Sequence, residues 1–264
     1  MFGSWFKPRC PVSTRDKVWT ETRMRWLAEQ LGSDALRRAQ VILPTAEFFP
    51  EEWLGSEREL TALFQQICQW MDVSSDAVSL EIVSDRQLVD AVGHYDYAPE
   101  TLQQHGRPVI RIVESLLQMP LQLAATLAHE LAHERLLGGG LLSESEADHE
   151  FVTDLLPLSL GLGIIQANST IQDGTIREGH WSWYQSTRIG YLSSLQLGYA
   201  LALFAWHRQE RSPDWAQYLR LDARSVFTKG LKFLAAGGES LFGLDYARQS
   251  VSPDAPQELS LIHI

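Results

Sequence analysis

Near the N-terminus, apolar side chains recur at helical spacing. In "DKVWTETRMRWLAEQLG", Val18, Met24, Leu27 and Leu31 share one face, and Gly32 is a natural stop. "AQVILPT" reads as a short strand halted by Pro44, and "EFFPEEW" as a turn. "SERELTALFQQICQWM" is a second amphipathic helix, opened by a capping box of Ser56 and Glu59. The alternating runs "AVSLEIVSD" and "RPVIRIVES" read as strands on either side of a polar, aromatic loop, "VGHYDYAPETLQQHGRP". A helix is predicted from Pro120 to Leu137, with proline in its first turn and Gly138, Gly139 and Gly140 ending it. A second capping pair, Ser143 and Glu146, predicts a helix from Ser143 to about Leu160, kinked at Pro157. Helices over about Ser182–Arg208 and Pro213–Ala236 follow, and "SVSPDAPQELSLIHI" reads as an extended tail.

This order predicts an α+β chain. A small mixed sheet in residues 1–118 precedes a mostly helical part, 119–250, and a tail, 251–264, all within a single domain. A chain of 264 residues can bury a core without disulfides, and 45% apolar with 21% charged residues is an ordinary globular balance. The formal net charge of −11, with no basic block, argues against nucleic acid as a partner. Cys10 and Cys68 have no metal-site spacing, and Cys68 on its amphipathic helix reads as a small buried hydrophobe. "MFGSWFKPRCPVSTRD" lacks a signal-like apolar core, and the most apolar helix, "GYALALFAW", is about half the ~20 residues of a membrane span. The expectation is a cytoplasmic protein with no membrane partner.

One stretch departs from this plain pattern. "LAATLAHELAHERLLGGG" places three polar groups within five residues of an Ala/Leu-rich helix. Positions i and i+4 lie one turn apart on one face, so His129 and His133 can direct both imidazoles at one point. Glu130 is turned about 100° away, within reach of a water beside them. Chance would supply H-E-x-x-H about 0.02 times in a chain of this composition, so a metal site is favoured over two satisfied core histidines. Zinc suits such donors but needs a third ligand. Glu150 lies 17 residues after His133, beyond a glycine turn that can reverse the chain, and Asp154 is one turn further on. Glu146 shares their stripe, and Asp148 and His149 are close by. An acidic, solvated face is the competing reading for Glu146, Glu150 and Asp154.

The pattern H-E-x-x-H followed by E-x-x-x-D resembles the gluzincin metallopeptidases over about thirty residues, Thr126 to Leu155. The stretches "VILPTAEFFPEEW", "EFVTDLLPLSLGLGII" and "GYLSSLQLGYALALFAW" also look like a bacterial zincin-like group. The resemblance implies a zincin-like fold with the sheet packed on the histidine helix. It implies His129, His133 and Glu150 as ligands of Zn2+, Glu130 as general base, and Asp154 as the acceptor that orients a ligand imidazole. It also implies a peptide or protein substrate.

A developing oxyanion needs a donor. If "WYQSTRIGYLSSLQLGYALALFAW" is one helix, Tyr184, Arg188, Tyr191 and Tyr199 share a face, although aromatic stripes commonly mean core packing. Tyr191 is the first choice because the tyrosine of "GYL" recurs in that bacterial group, and His180, in "REGHWSW", is the alternative. Trp181 and Trp183 read as core or loop anchors, and His94, His105, His207 and His263 as isolated residues. The strand "RPVIRIV" is expected at a sheet edge, where an extended peptide adds as a strand. Two other functions remain open: a metal-holding regulatory or interaction protein without turnover, and a zinc hydrolase of non-peptide amides or esters. Oligomeric state is not indicated.

Overall fold

The computed structural model describes residues 7–32, 34–88, 91–169, 172–178, 181–187 and 190–242, the segments 172–178 and 181–187 as backbone. Helix α1, Thr14–Leu31, starts where Ser13 Oγ accepts from the Asp16 N–H, and a short helix α2, Ala35–Arg38, follows. The stretch expected as a strand, "AQVILPT", is not one. It runs as an extended segment whose Ile42 N–H donates to the Gly161 carbonyl at 3.0 Å. Gly161 has φ 100, and a Cβ there would run into the Gln40 carbonyl oxygen. The segment therefore spends its hydrogen bonding on a helix kink rather than on a neighbouring strand.

Helix α3, Glu57–Met71, forms with the expected capping box of Ser56 and Glu59. Cys68 on it is buried, and that burial pushes its thiol up to about 11. Strand β1, Ser79–Val83, pairs in parallel with β3, Val109–Val113. Between them, what reads as a loop carries β2, Gly93–Asp96, and α4, Pro99–His105. Strand β2 is antiparallel to β3, and the sheet order is β1-β3-β2. "RPVIRIV" is thus the central strand and not an edge, and β2 is the edge on the side of the histidine helix.

That helix, α5, spans Pro120–His133, and every residue from Leu123 to His133 is buried. A wider π-type turn over Glu134–Gly138 carries it to the glycines. The next helix does not start at Ser143. Residues 143–148 stay in turns, and α6 runs His149–Pro157. It passes through a second π-type turn, Leu158–Leu162, into α7, Gly163–Ser169. The run His149–Ser169 is long and apolar enough to cross a membrane by length and composition, and 83% of its most apolar window is buried within the protein.

The helix expected from Ser182 is also overturned at its start. Strands β4, Gln172–Glu178, and β5, Trp181–Thr187, pair as an antiparallel hairpin, and α8 begins at Ser194 and ends at His207. Antiparallel pairing with β4, residue by residue from Trp181 to Thr187, prevails over the helical spacing read in the sequence. Helix α9, Leu221–Ala235, packs along α8, with Gly198 and Gly230 allowing close approach. The tail from residue 243, including His263, lies outside the described residues. One cluster of buried apolar side chains runs from Met24 on α1 through α3, α5, α6 and α8 to Phe242.

Candidate metal centre

Helices α5 and α6 pack together, and their contact brings the two motifs to one point. His129 Nε2 and His133 Nε2 each lie 3.3 Å from Glu150 Oε2. One donor atom from each of the three residues lies within 4.8 Å of the others. The two rings stand nearly perpendicular, at 87° and 4.9 Å between centroids, so both lone pairs converge without stacking.

The donor set fits a cation. His129 Nδ1 lies 2.9 Å from Asp154 Oδ1 and carries a proton there, which leaves Nε2, facing the Glu150 carboxylate, as the atom that holds either a second proton or a cation. Glu150 Oε2 is buried and has no hydrogen-bond partner among the described residues; the same is true of His133 Nδ1. Buried acceptors turned toward one another are costly unless a positive charge lies between them. Burial works against charge on His129, but Asp154 and Glu150 outweigh it and hold the imidazole well above its usual range. Burial would raise Glu150, but the two imidazoles outweigh it and hold the carboxyl well below the usual carboxylate range.

Asp154 is 2% exposed, so it belongs to no solvated face. Its Oδ2 accepts from the backbone N–H groups of Tyr191 and Leu192 at 2.5 and 2.7 Å. Gly190, at φ 85, lets that loop pass close by, since a Cβ there would sit 3.0 Å from both Asp154 oxygens. Asp154 thus ties the Tyr191 loop to the His129 ring. Of the other acidic candidates, Glu146 and Asp148 are paired with Arg23. His149 Nδ1 faces the Glu146 carbonyl at 2.9 Å, and its Nε2 is 3.3 Å from Glu150 Oε1.

The chain has no match among known families, curated proteins or solved structures.

Glu130 is 5% exposed, beside the donors and not among them. Burial pushes its carboxyl up, moderated by His129, His133 and His94. Strand β2 passes directly over it: a Cβ on Gly93 would sit 2.6 Å from Glu130 Oε1 and 2.5 Å from Thr126 Cγ2. Gly93→Ala is therefore expected to destabilise the fold by about 1–3 kcal/mol through overpacking, read as a lowered melting temperature. An unchanged melting temperature would show that β2 does not lie against Glu130.

Tyr191 is not on a helix. It sits in the loop before α8, half-exposed, with its ring stacked at 18° and 6.0 Å on His129. Burial, then Glu150, Glu130 and Asp154, push its phenol up, so it keeps its proton as a donor. Tyr199 leaves the candidates: it is fully buried on α8 and donates to Glu21 Oε1 at 2.6 Å. Tyr184 falls on β5, described as backbone, and His180 and Arg188 lie outside the described residues.

Tyr95 was not singled out by the sequence. It stacks on His133 at 15° and 6.1 Å, and its hydroxyl donates to Glu134 Oε2 at 2.6 Å. Its alternation with Tyr97 in "GHYDY" was the available signal. His94 is exposed on β2, and His207 is buried on α8 against Phe242.

Proposed function

We propose that this protein is a zinc-dependent hydrolase of zincin-like architecture that cleaves peptide bonds. The observation that carries the reading is the convergence of His129, His133 and Glu150 beside a buried Glu130 that holding an ion does not require. Bound there, zinc supplies a Lewis acid that acidifies water and polarises a carbonyl. Glu130, its carboxyl raised by burial, takes the proton of the attacking water and returns it to the leaving nitrogen. Tyr191, a protonated phenol over His129, is the donor to the developing oxyanion.

The outer edge of β2, which pairs with no other strand among the described residues, supports an extended peptide as substrate. The Val113 N–H donates to the Val92 carbonyl at 3.1 Å, which makes that pair a hydrogen-bonded one. In an antiparallel ladder such pairs alternate, so His94 and Asp96 also face β3. The backbone groups of Gly93 and Tyr95 then face away from β3, above Glu130. A peptide that adds there as a strand brings its carbonyls past the centre.

The test is metal content together with a substrate panel. Native protein is expected to hold a single zinc per chain, Glu150→Ala to lose it, and Glu146→Ala to keep it. Loss in the Glu146 variant alone would move the third ligand. Native protein should cleave unstructured peptides and stop when a chelator removes the metal. Hydrolysis confined to small amides or esters would overturn the peptidase assignment and leave the metal centre standing.

A further inference from the structure

Asp148 occupies the position from which an aspartate normally caps its own helix, yet its carboxylate makes no bond to the first turn of α6. It is turned to α1. Arg23 Nε donates to Oδ2 at 2.8 Å and Nη2 to Oδ1 at 2.6 Å, while Trp19 Nε1 donates to Oδ2 at 2.7 Å. The same guanidinium reaches Glu146 Oε2 at 3.0 Å, while Oε1 of that carboxylate faces the Ser143 N–H at 3.5 Å. On the far side of Glu150, Trp19 packs edge-on against Phe151 at 5.8 Å, and Phe151 meets the Tyr191 ring at 6.1 Å.

We infer that Trp19 and Arg23 are positioning residues of the metal centre, fixing where Glu150 stands relative to the two histidines. The inference rests on the metal reading above. Of the residues two before and one after the ligand, Asp148 is held by both Arg23 and Trp19 and Phe151 by Trp19, all from one helix. A bidentate guanidinium–carboxylate pair fixes orientation as well as distance, which a lysine does not. Glu150 comes from the first turn of α6, which has no side-chain cap, so this anchorage adds restraint at the helix end where a cap is missing. Trp19 and Arg23 touch no metal donor and act through Asp148 and Phe151.

The experiment is zinc affinity, measured on the full chain by competition with a chromophoric chelator, beside the melting temperature of the metal-free protein. Arg23→Met is expected to weaken zinc binding about 10- to 100-fold, the usual effect of removing support from a ligand. Arg23→Lys should recover part of the loss, and Arg15→Met, at an exposed position of α1, should bind as native protein does. The pair Arg23→Met/Asp148→Asn removes the stranded charge, so its metal-free melting temperature should return toward native while zinc binding stays weak. Native affinity in that pair would overturn the inference and reduce the contact to a structural tie. Native protein that binds zinc no better than Glu150→Ala would overturn the metal reading itself, and this inference with it.

Discussion

Glu130→Gln is expected to lower hydrolysis by about 10²- to 10⁴-fold with metal content and melting temperature unchanged. The amide has the shape of the carboxylate, so it keeps the packing under Gly93 and against Thr126. What it loses is the capacity to accept a proton from water. Glu130 is not among the three donors that converge at the centre, so the ion should stay. Paired rate and metal measurements separate the outcomes. Full activity in the variant would remove Glu130 as the base, and loss of zinc would make it a ligand. A protein whose only task was to hold metal would show no difference.

Asp154→Asn is expected to cost zinc affinity on the order of 100-fold while leaving stability close to native. The carboxamide can turn its oxygen to the Tyr191 and Leu192 N–H groups, which lie 2.5 and 2.7 Å from Asp154 Oδ2. Its nitrogen then faces His129 Nδ1, 2.9 Å away in the native protein, and donates to it. That moves the imidazole proton to Nε2, the atom needed as a lone pair. Asp154→Ala differs in kind, since it leaves the buried Leu192 N–H and the part-buried Tyr191 N–H without their acceptor and should cost at least about 1–3 kcal/mol, the range for one buried donor. Zinc titration and thermal melts of the two variants distinguish tautomer from scaffold. Native affinity in the Asn variant would mean that Asp154 does not set the ring.

The centre was legible because its parts are local. His129 with His133 and Glu150 with Asp154 are each one helical turn apart, a relation that spacing alone conveys. The capping box at Ser56 and the strands at Ser79–Val83 and Val109–Val113 are equally local patterns. What was hidden depends on partners far along the chain. The similar pair Ser143 and Glu146 starts no helix: Glu146 still faces the Ser143 N–H at 3.5 Å, but it and Asp148 also pair with Arg23, more than a hundred residues away, and the chain stays in turns to residue 148. Strand β2 is four residues, Gly-His-Tyr-Asp, with Tyr95 alone fully buried, so its composition resembles a loop and its pairing with β3 reveals it. In "VILPT" the β-branched residues suggested a strand, but the partner is the carbonyl of a kinked helix. The second strand of the β4–β5 hairpin was misread because Tyr184 falls at helical spacing with Tyr191 and Tyr199, and the partner strand that decides otherwise carries no such pattern.

Helix α1, which reaches the centre through Trp19 and Arg23, has a requirement of its own. Glu21, on the same helix, is fully buried, and it accepts from Lys17 at 3.0 Å, Tyr199 at 2.6 Å and the Leu241 N–H at 2.8 Å. Two of those three donors lie 178 and 220 residues further along the chain. A chain emerging from the ribosome therefore cannot seat helix α1 at little cost until both of those segments have been translated. Assembly of the centre in this way waits on residues well beyond its own motif.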